Sequence, residues 1–242
     1  MKLKKGQLIV IEGADGSGKE TQSLLLKEAL DGFGHKCVIY SFPRYNTPTG
    51  KEIKKILTTK SENLFTKIAL FANDRLAARD EMYNDLIDGK IVICDRYITS
   101  MIAYGSAEAK LWSNKVPIVS DKISGIVASH ITTLEMVQNA MPVADIQFFL
   151  SVPIEILRQL LASRSNLQNA GSIPLDEYEK NIALQEESLS LYKSINSHNT
   201  YAIAEIHSEI ECYDEKNKKL KSAISIRDLI ISDLLKNHII QK

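Results

Sequence analysis

Apolar residues in this chain fall into two alternating patterns, short unbroken runs and longer stretches of helical period. Gln7–Glu12 is a run rich in Ile and Val, entered from charged residues and left through glycines. A strand buried on both faces has this signature. From Lys19 to Phe33 the residues Leu24, Leu25, Leu26, Ala29 and Leu30 recur at helical spacing, and Gly32 and Gly34 end the pattern. Cys37–Phe42 reads as a second strand. Asn63–Leu86 carries a long helical pattern that stops at Asp88-Gly89, and Ile91–Cys94 follows as a strand with Asp95 at its carboxyl end. Ile146–Val152 is a fourth strand, and Pro153 opens a helix at a permitted early position. Asp176–Ile195 is a further long helix, and a fifth strand lies near Glu209–Tyr213.

Strands alternating with helices predict parallel βαβ units and a three-layer α/β fold. In such sheets ligands bind outside the carboxyl ends of the strands. No linker, fixed-period repeat or low-complexity segment divides the chain, and Lys216–Lys221 reads as a solvated turn. One domain covering 1–242 is expected at this length.

Composition narrows the possible partners. Lys plus Arg and Asp plus Glu each number 30, so no global field draws the chain to nucleic acid or an anionic membrane, and any phosphate binding is local. Cys37, Cys94 and Cys212 stand far apart without a CxxC pair and read as reduced, buried thiols. The opening segment has basic residues, but its apolar run ends at Glu12, too soon for a signal or membrane span. A cytosolic location is the expectation.

Gly13-Ala14-Asp15-Gly16-Ser17-Gly18-Lys19 follows a predicted strand and precedes a predicted helix, the context in which a glycine-rich loop cradles phosphate. Inward backbone N–H groups and the helix dipole favour the anion, and Lys19 reaches the β and γ phosphates. In the common form of this motif Ser or Thr follows the Lys and supplies a hydroxyl to Mg²⁺. Here Glu20 takes that place and the hydroxyl comes one residue later, at Thr21. Glu20 or Thr21 helps to hold the metal through water, or the nucleotide and Asp95 hold it, or the site is degenerate.

Phe71, Arg75 and Arg79 are spaced to share one face of the Asn63–Leu86 helix. That face suits a planar base, since a guanidinium donates paired hydrogen bonds to a pyrimidine edge or a phosphate. A core Phe beside surface ion pairs with Asp74 and Glu81 would look the same. Asp95-Arg96-Tyr97 places an acid and a base at the sheet's carboxyl edge, suited to Mg²⁺ and to an acceptor phosphate, or to a structural ion pair. Phe42-Pro43-Arg44-Tyr45 brings Arg44 to the same edge, leading into a loop closed by Pro48 and Gly50.

These segments together resemble the thymidylate kinase family, in its order: the phosphate loop with Thr21-Gln22, Phe42-Pro43-Arg44-Tyr45, Phe71-Ala72-Asn73-Asp74-Arg75, and Asp95-Arg96-Tyr97 with Ser100 and Ala103-Tyr104. Phe148–Pro153 continues the likeness more weakly, and Lys110–His130 departs most. The resemblance implies a P-loop kinase fold with a five-stranded parallel sheet flanked by helices and a short lid at about 161–176. It implies transfer of the γ-phosphoryl group of ATP to dTMP with Mg²⁺, often in a homodimer. By the family's pattern Asp15 binds the deoxyribose 3′-hydroxyl, Arg44 and Arg96 the dTMP phosphate, and Phe42 belongs to the same substrate loop. Phe71 stacks on thymine, Arg75 hydrogen-bonds it, and Ser100 and Tyr104 line the nucleoside pocket. Gly16 follows Asp15, so the family's catalytic arginine falls to the lid, at Arg164 with Arg158 in reserve.

Rival classes are a kinase for another nucleotide or nucleoside, and a P-loop regulatory protein that binds nucleotide without transfer, for which Glu20 is the warrant. No NKxD segment is present, which argues against a GTPase switch. The five histidines lack paired metal spacing, and no GxSxG motif occurs.

Overall fold

The computed structural model describes residues 6–58, 63–115, 122–166, 176–198 and 201–241, with the backbone alone at 164–166. In chain order the elements begin with β1 (Gln7–Glu12), α1 (Lys19–Gly32), β2 (Cys37–Ser41), α2 (Pro48–Thr58), α3 (Leu64–Ile87), β3 (Ile91–Asp95), α4 (Ile98–Ser113) and α5 (Ile123–Thr132). A π-helical turn, Thr133–Gln138, leads to β4 (Ala144–Ser151), α6 (Ile154–Asn166), α7 (Glu177–Lys180) and α8 (Ile182–His198). Then come β5 (Ala204–Glu211), the short pair β6 (Tyr213–Asp214) and β7 (Lys219–Leu220), and α9 (Ala223–Lys236).

The main sheet is five-stranded in the order β2-β3-β1-β4-β5, and every neighbouring pair is parallel. β1 lies at its centre, with Ile9 facing Ile93 on one side and Ile146 on the other. Leu8 to Ile11 are wholly buried, as are Phe148 and Leu150 of β4, because helices cover both faces. α1 and α9 pack together on one side, α3, α4 and α8 on the other. Continuous apolar runs therefore mark the inner strands, as a doubly covered parallel sheet requires.

Several elements depart from the pattern reading. The segment after β2 is helical where a loop closed by Pro48 and Gly50 was expected. Pro48 stands at the first helical position, and Ile53, Ile56 and Leu57 are buried beneath exposed Lys51, Glu52, Lys54 and Lys55. The predicted Asp176–Ile195 helix is two helices. Asp176 and Glu179 close a reciprocal capping box around α7, and Asn181 takes an extended conformation that ends it. β5 runs Ala204–Glu211 rather than near Glu209–Tyr213, and at the sheet's edge its apolar residues alternate with polar ones, which masks its start. Lys216–Lys221 forms the tip and second strand of the β6–β7 hairpin, with Lys216, Lys218 and Lys219 exposed. All three cysteines are free and buried. No helix among the described residues is long and apolar enough to cross a membrane.

Candidate active site

The phosphate loop joins the carboxyl end of β1 to α1. Gly18 is the N-cap of α1 with φ 89°, a left-handed conformation that glycine adopts without penalty, and no side chain caps the first turn. The leading N–H groups of α1 therefore have no capping side chain, the arrangement that suits an anion. A Cβ at Gly13 would stand 2.6 Å from Ser17 Oγ and 3.2 Å from the Leu150 carbonyl oxygen, so any larger residue there would force Ser17 or the loop to shift. Ser17 Oγ is itself buried without a partner among the described residues. Lys19 is buried and donates from Nζ to the Ala14 carbonyl at 2.8 Å. Burial is the main reason its ammonium falls from 10.5 to about 8, and Arg96 pushes the same way against Asp15, Asp95 and Glu12.

Glu12, the last residue of β1, organises the opposite wall. Its Oε1 accepts from the backbone N–H of Tyr97 at 2.8 Å and of Ser100 at 3.1 Å, and Oε2 accepts from Ser100 Oγ at 2.6 Å. A carboxylate from the central strand thus occupies the N-terminal end of α4, where the helix dipole favours it. Burial still pushes its pKa up. Arg96 sits just before this helix with φ 63°, a left-handed conformation costing a non-glycine residue about 1 kcal/mol or more. Its N–H donates to the Ile11 carbonyl at 3.0 Å, which ties that conformation to β1.

The Arg96 guanidinium spans the crevice to the phosphate loop. Nη2 pairs with Asp15 Oδ1, while Nη1 donates to the Gly13 carbonyl at 3.5 Å and Ser100 Oγ at 3.4 Å. Asp15 Oδ2 accepts from the Tyr104 hydroxyl at 2.8 Å and Gln185 Nε2 at 2.9 Å. Burial alone would raise the Asp15 carboxyl, but Arg96, Lys19 and these hydrogen bonds outweigh it and hold it at about 2. Lys19, Asp95, Arg96, Ser100 and Tyr104 are thereby gathered around Asp15. Burial raises Asp95, with Lys19 and Arg96 opposing and Glu20 and Asp15 adding to the rise.

Arg44 is held by Asp74 of α3. Its N–H donates to Asp74 Oδ2 at 2.8 Å, its Nη2 to the Asp74 carbonyl at 2.8 Å, and Thr49 also donates to this carboxylate at 2.9 Å. Phe71 is half-buried against the core, and Phe42, at 4% exposure, lies between Tyr40 and Tyr97, with its N–H donating to the Asp95 carbonyl at 3.0 Å. Asp74 and Glu81 are not the partners of the α3 arginines. Arg75 pairs with Glu135 of the π-helical turn, and Arg79 with Asp80 and the Asn139 carbonyl. On the lid side, Arg158 lies in an exposed pair with Glu186. Arg164 belongs to the last turn of α6, its side chain outside the described residues, as are residues 167–175.

Glu20 and Thr21 are exposed on the first turn of α1, with Asp95 close enough for Glu20 to act on its charge. Hard oxygen donors beside a phosphate loop match Mg²⁺, which takes one or two carboxylates and completes its shell with water and substrate phosphates. Residues that pattern reading missed include Glu12, Gln185, Glu135 and Asp74 as the anchor of Arg44. Glu12 carried a signal, an acid ending an otherwise apolar strand, where burial demands partners. Gln185 and Glu135 had none, because long-range pairing supplies their contacts.

A phosphate loop facing a strand-end Asp-Arg pair across a parallel sheet's carboxyl edge defines a P-loop nucleotide-binding protein. The model of the Thymidylate kinase family matches residues 11–217. A thymidylate kinase of Plasmodium falciparum is 31% identical over 217 residues, 86% of this chain and 89% of that protein. One of Nostoc sp. is 33% identical over 132 residues, 52% of this chain, and the matched stretch spans 62% of the Nostoc protein's length. The solved thymidylate kinase of Candida albicans superposes with a TM-score of 0.69 at 24% identity, covering 97% of this chain and 94% of that one. The chain belongs to the thymidylate kinase family.

Proposed function

We propose that this protein is a thymidylate kinase, transferring the γ-phosphoryl group of ATP to dTMP to give ADP and dTDP for dTTP synthesis. The observation that carries the reading is the Asp15–Arg96 pair, which joins the donor loop to the acceptor edge in one crevice. Family membership supplies the substrate pair. A phosphate oxygen of dTMP attacks the γ-phosphorus in line, so positioning and charge neutralisation are what the protein contributes.

Lys19 leaves the Ala14 carbonyl for the β and γ phosphates. Arg44 and Arg96 neutralise the acceptor phosphate, which otherwise meets a polyanion, and Arg164 of the lid stabilises the transferring group. Asp15 receives the sugar hydroxyl, Phe71 and Arg75 face the base, and Ser100 and Tyr104 close the nucleoside pocket. Mg²⁺, held by Asp95 with Glu20 or Thr21, supplies neutralisation of the developing phosphate charge. The same reading takes 1–242 as one cytosolic domain with a lid at about 161–176, assembled as a homodimer. Light scattering that gives a monomer's mass removes the last point.

The test is ADP formation from ATP and Mg²⁺ with dTMP, dUMP, dCMP, dGMP, thymidine or no acceptor. Turnover with dTMP above the others is expected. Turnover with another acceptor replaces the substrate, and ATP binding without transfer favours a regulatory role. Lys19→Ala is expected to abolish transfer. Arg96→Ala is expected to lower kcat/KM for dTMP by about 100-fold or more while ATP binding persists.

A further inference from the structure

Arg75, Arg79 and Tyr83 recur one turn apart on α3, and all three grip the stretch that begins in the π-helical turn. Arg79 Nη1 donates to the Asn139 carbonyl at 3.0 Å and the Tyr83 hydroxyl to the Ala140 carbonyl at 2.8 Å. Those are partly exposed contacts to main chain, which hold a segment in place. Arg75 differs. Its Nε donates to Glu135 Oε1 at 2.8 Å and its Nη2 reaches the same oxygen, with the two side chains 2% and 0% exposed.

A charged pair this deeply buried contributes little net stability, since desolvation offsets the attraction. Its geometry also leaves capacity unused. Engagement through Nε and Nη2 fixes the plane of the guanidinium, and Nη1 has no partner among the described residues. Glu135 Oε2 is likewise buried with no partner among them, a condition that in native proteins marks a functional site or a water. The carboxylate comes from a π-helical turn, a form that gathers at functional sites.

We propose that Glu135 is the positioning residue for base recognition: it clamps Arg75 side-on, so that the free end of the guanidinium presents donors to a pyrimidine carrying a ring carbonyl at position 4. A 4-amino pyrimidine offers a donor at the same place and is rejected, because a buried polar group left unpaired is costly. The inference rests on the reading of Arg75 as the contact to the base.

Steady-state kinetics of the full chain test it, with dTMP varied at saturating ATP and the reverse. Glu135→Gln keeps the shape and one acceptor oxygen but removes the charge. The expected result is a KM for dTMP raised about 10-fold or more, an unchanged KM for ATP, and a narrowed preference for dTMP over dCMP. In an Arg75→Ala background the same change adds nothing, because the group it aims is gone. An unchanged dTMP KM in folded Glu135→Gln, or an equal rise for both substrates, overturns the proposal. A combined Arg75→Met and Glu135→Leu variant, which replaces the pair by apolar packing, is expected to fold, keep its ATP affinity and lose dTMP. Retention of dTMP affinity by it also overturns the proposal. Turnover of dTMP by the unaltered chain separates the two levels: without it the reading of function falls and the Glu135 assignment with it, whereas with it the variants judge Glu135 alone.

Discussion

Asp15 is caught between a surrounding that penalises its charge and two cations that reward it. Its pKa falls from 3.8 to about 2, so the folded protein holds this carboxylate ionised where the unfolded chain does not. A depressed acid contributes stability that is full above pH 3.8 and is lost as pH falls toward 2. The contribution is about 2 kcal/mol. Urea unfolding at pH 5 and pH 2.5 is expected to show Asp15→Asn losing less stability on acidification than the unaltered protein by about that amount. Lys19 runs the other way. Its pKa is lowered from 10.5 to about 8, so folding carries an ammonium at a cost below pH 8, and stability rises as pH climbs from there toward 10.5. Phosphates beside the ammonium restore its proton. Calorimetry at pH 9 in two buffers of different ionisation enthalpy is expected to find proton uptake on ATP binding, and Lys19→Ala is expected to abolish it. Residues of this kind were legible where local order sufficed: Gly13 to Lys19 could be read from strand, loop and helix. Arg96 was legible as a strand-end base. Its left-handed backbone and the Glu12 carboxylate that holds the following helix were not, because they arise from chain far away in sequence.

At the scale of elements, helix period was read well where one face alone is apolar and poorly where it is not. α4 is buried nearly all round through small residues such as Ala103, Gly105 and Ala107, so no stripe marks it. α2 was mistaken for a loop because Pro48 and Gly50 suggest turns, although proline suits the first turn of a helix. β5 lies at the sheet's edge, and its polar alternation hid its start. The α3 face that the sequence offers for base contact carries the half-buried Phe71, and its further turns also dock the stretch after α5 through Arg79 and Tyr83. The docking role is testable at Tyr83, whose hydroxyl makes an exposed hydrogen bond to the Ala140 carbonyl. Tyr83→Phe is expected to reduce stability by about 0.5–1 kcal/mol in thermal or urea unfolding and to leave both KM values unchanged.

For the molecule as a whole, alternation of strands and helices was enough to predict the parallel three-layer fold. The order of strands was not, since nothing local tells β1 that its neighbours are β3 and β4. The core that results is concentrated on the inner strands. Phe148, wholly buried on β4 beside β1, is expected to cost about 3–5 kcal/mol when replaced by Ala, read as a lower urea midpoint at unchanged slope. The central place of β1 also bears on how the chain is made. This strand leaves the ribosome before either of its neighbours exists, and the partner on its far side, β4, follows only after α1 to α5 have been synthesised. Until then the edge of β1 that faces β4 has no strand to pair with. Of the five strands of the main sheet, the one that carries the phosphate loop therefore waits longest for its full set of partners, and it is expected to gain most from a chaperone during translation.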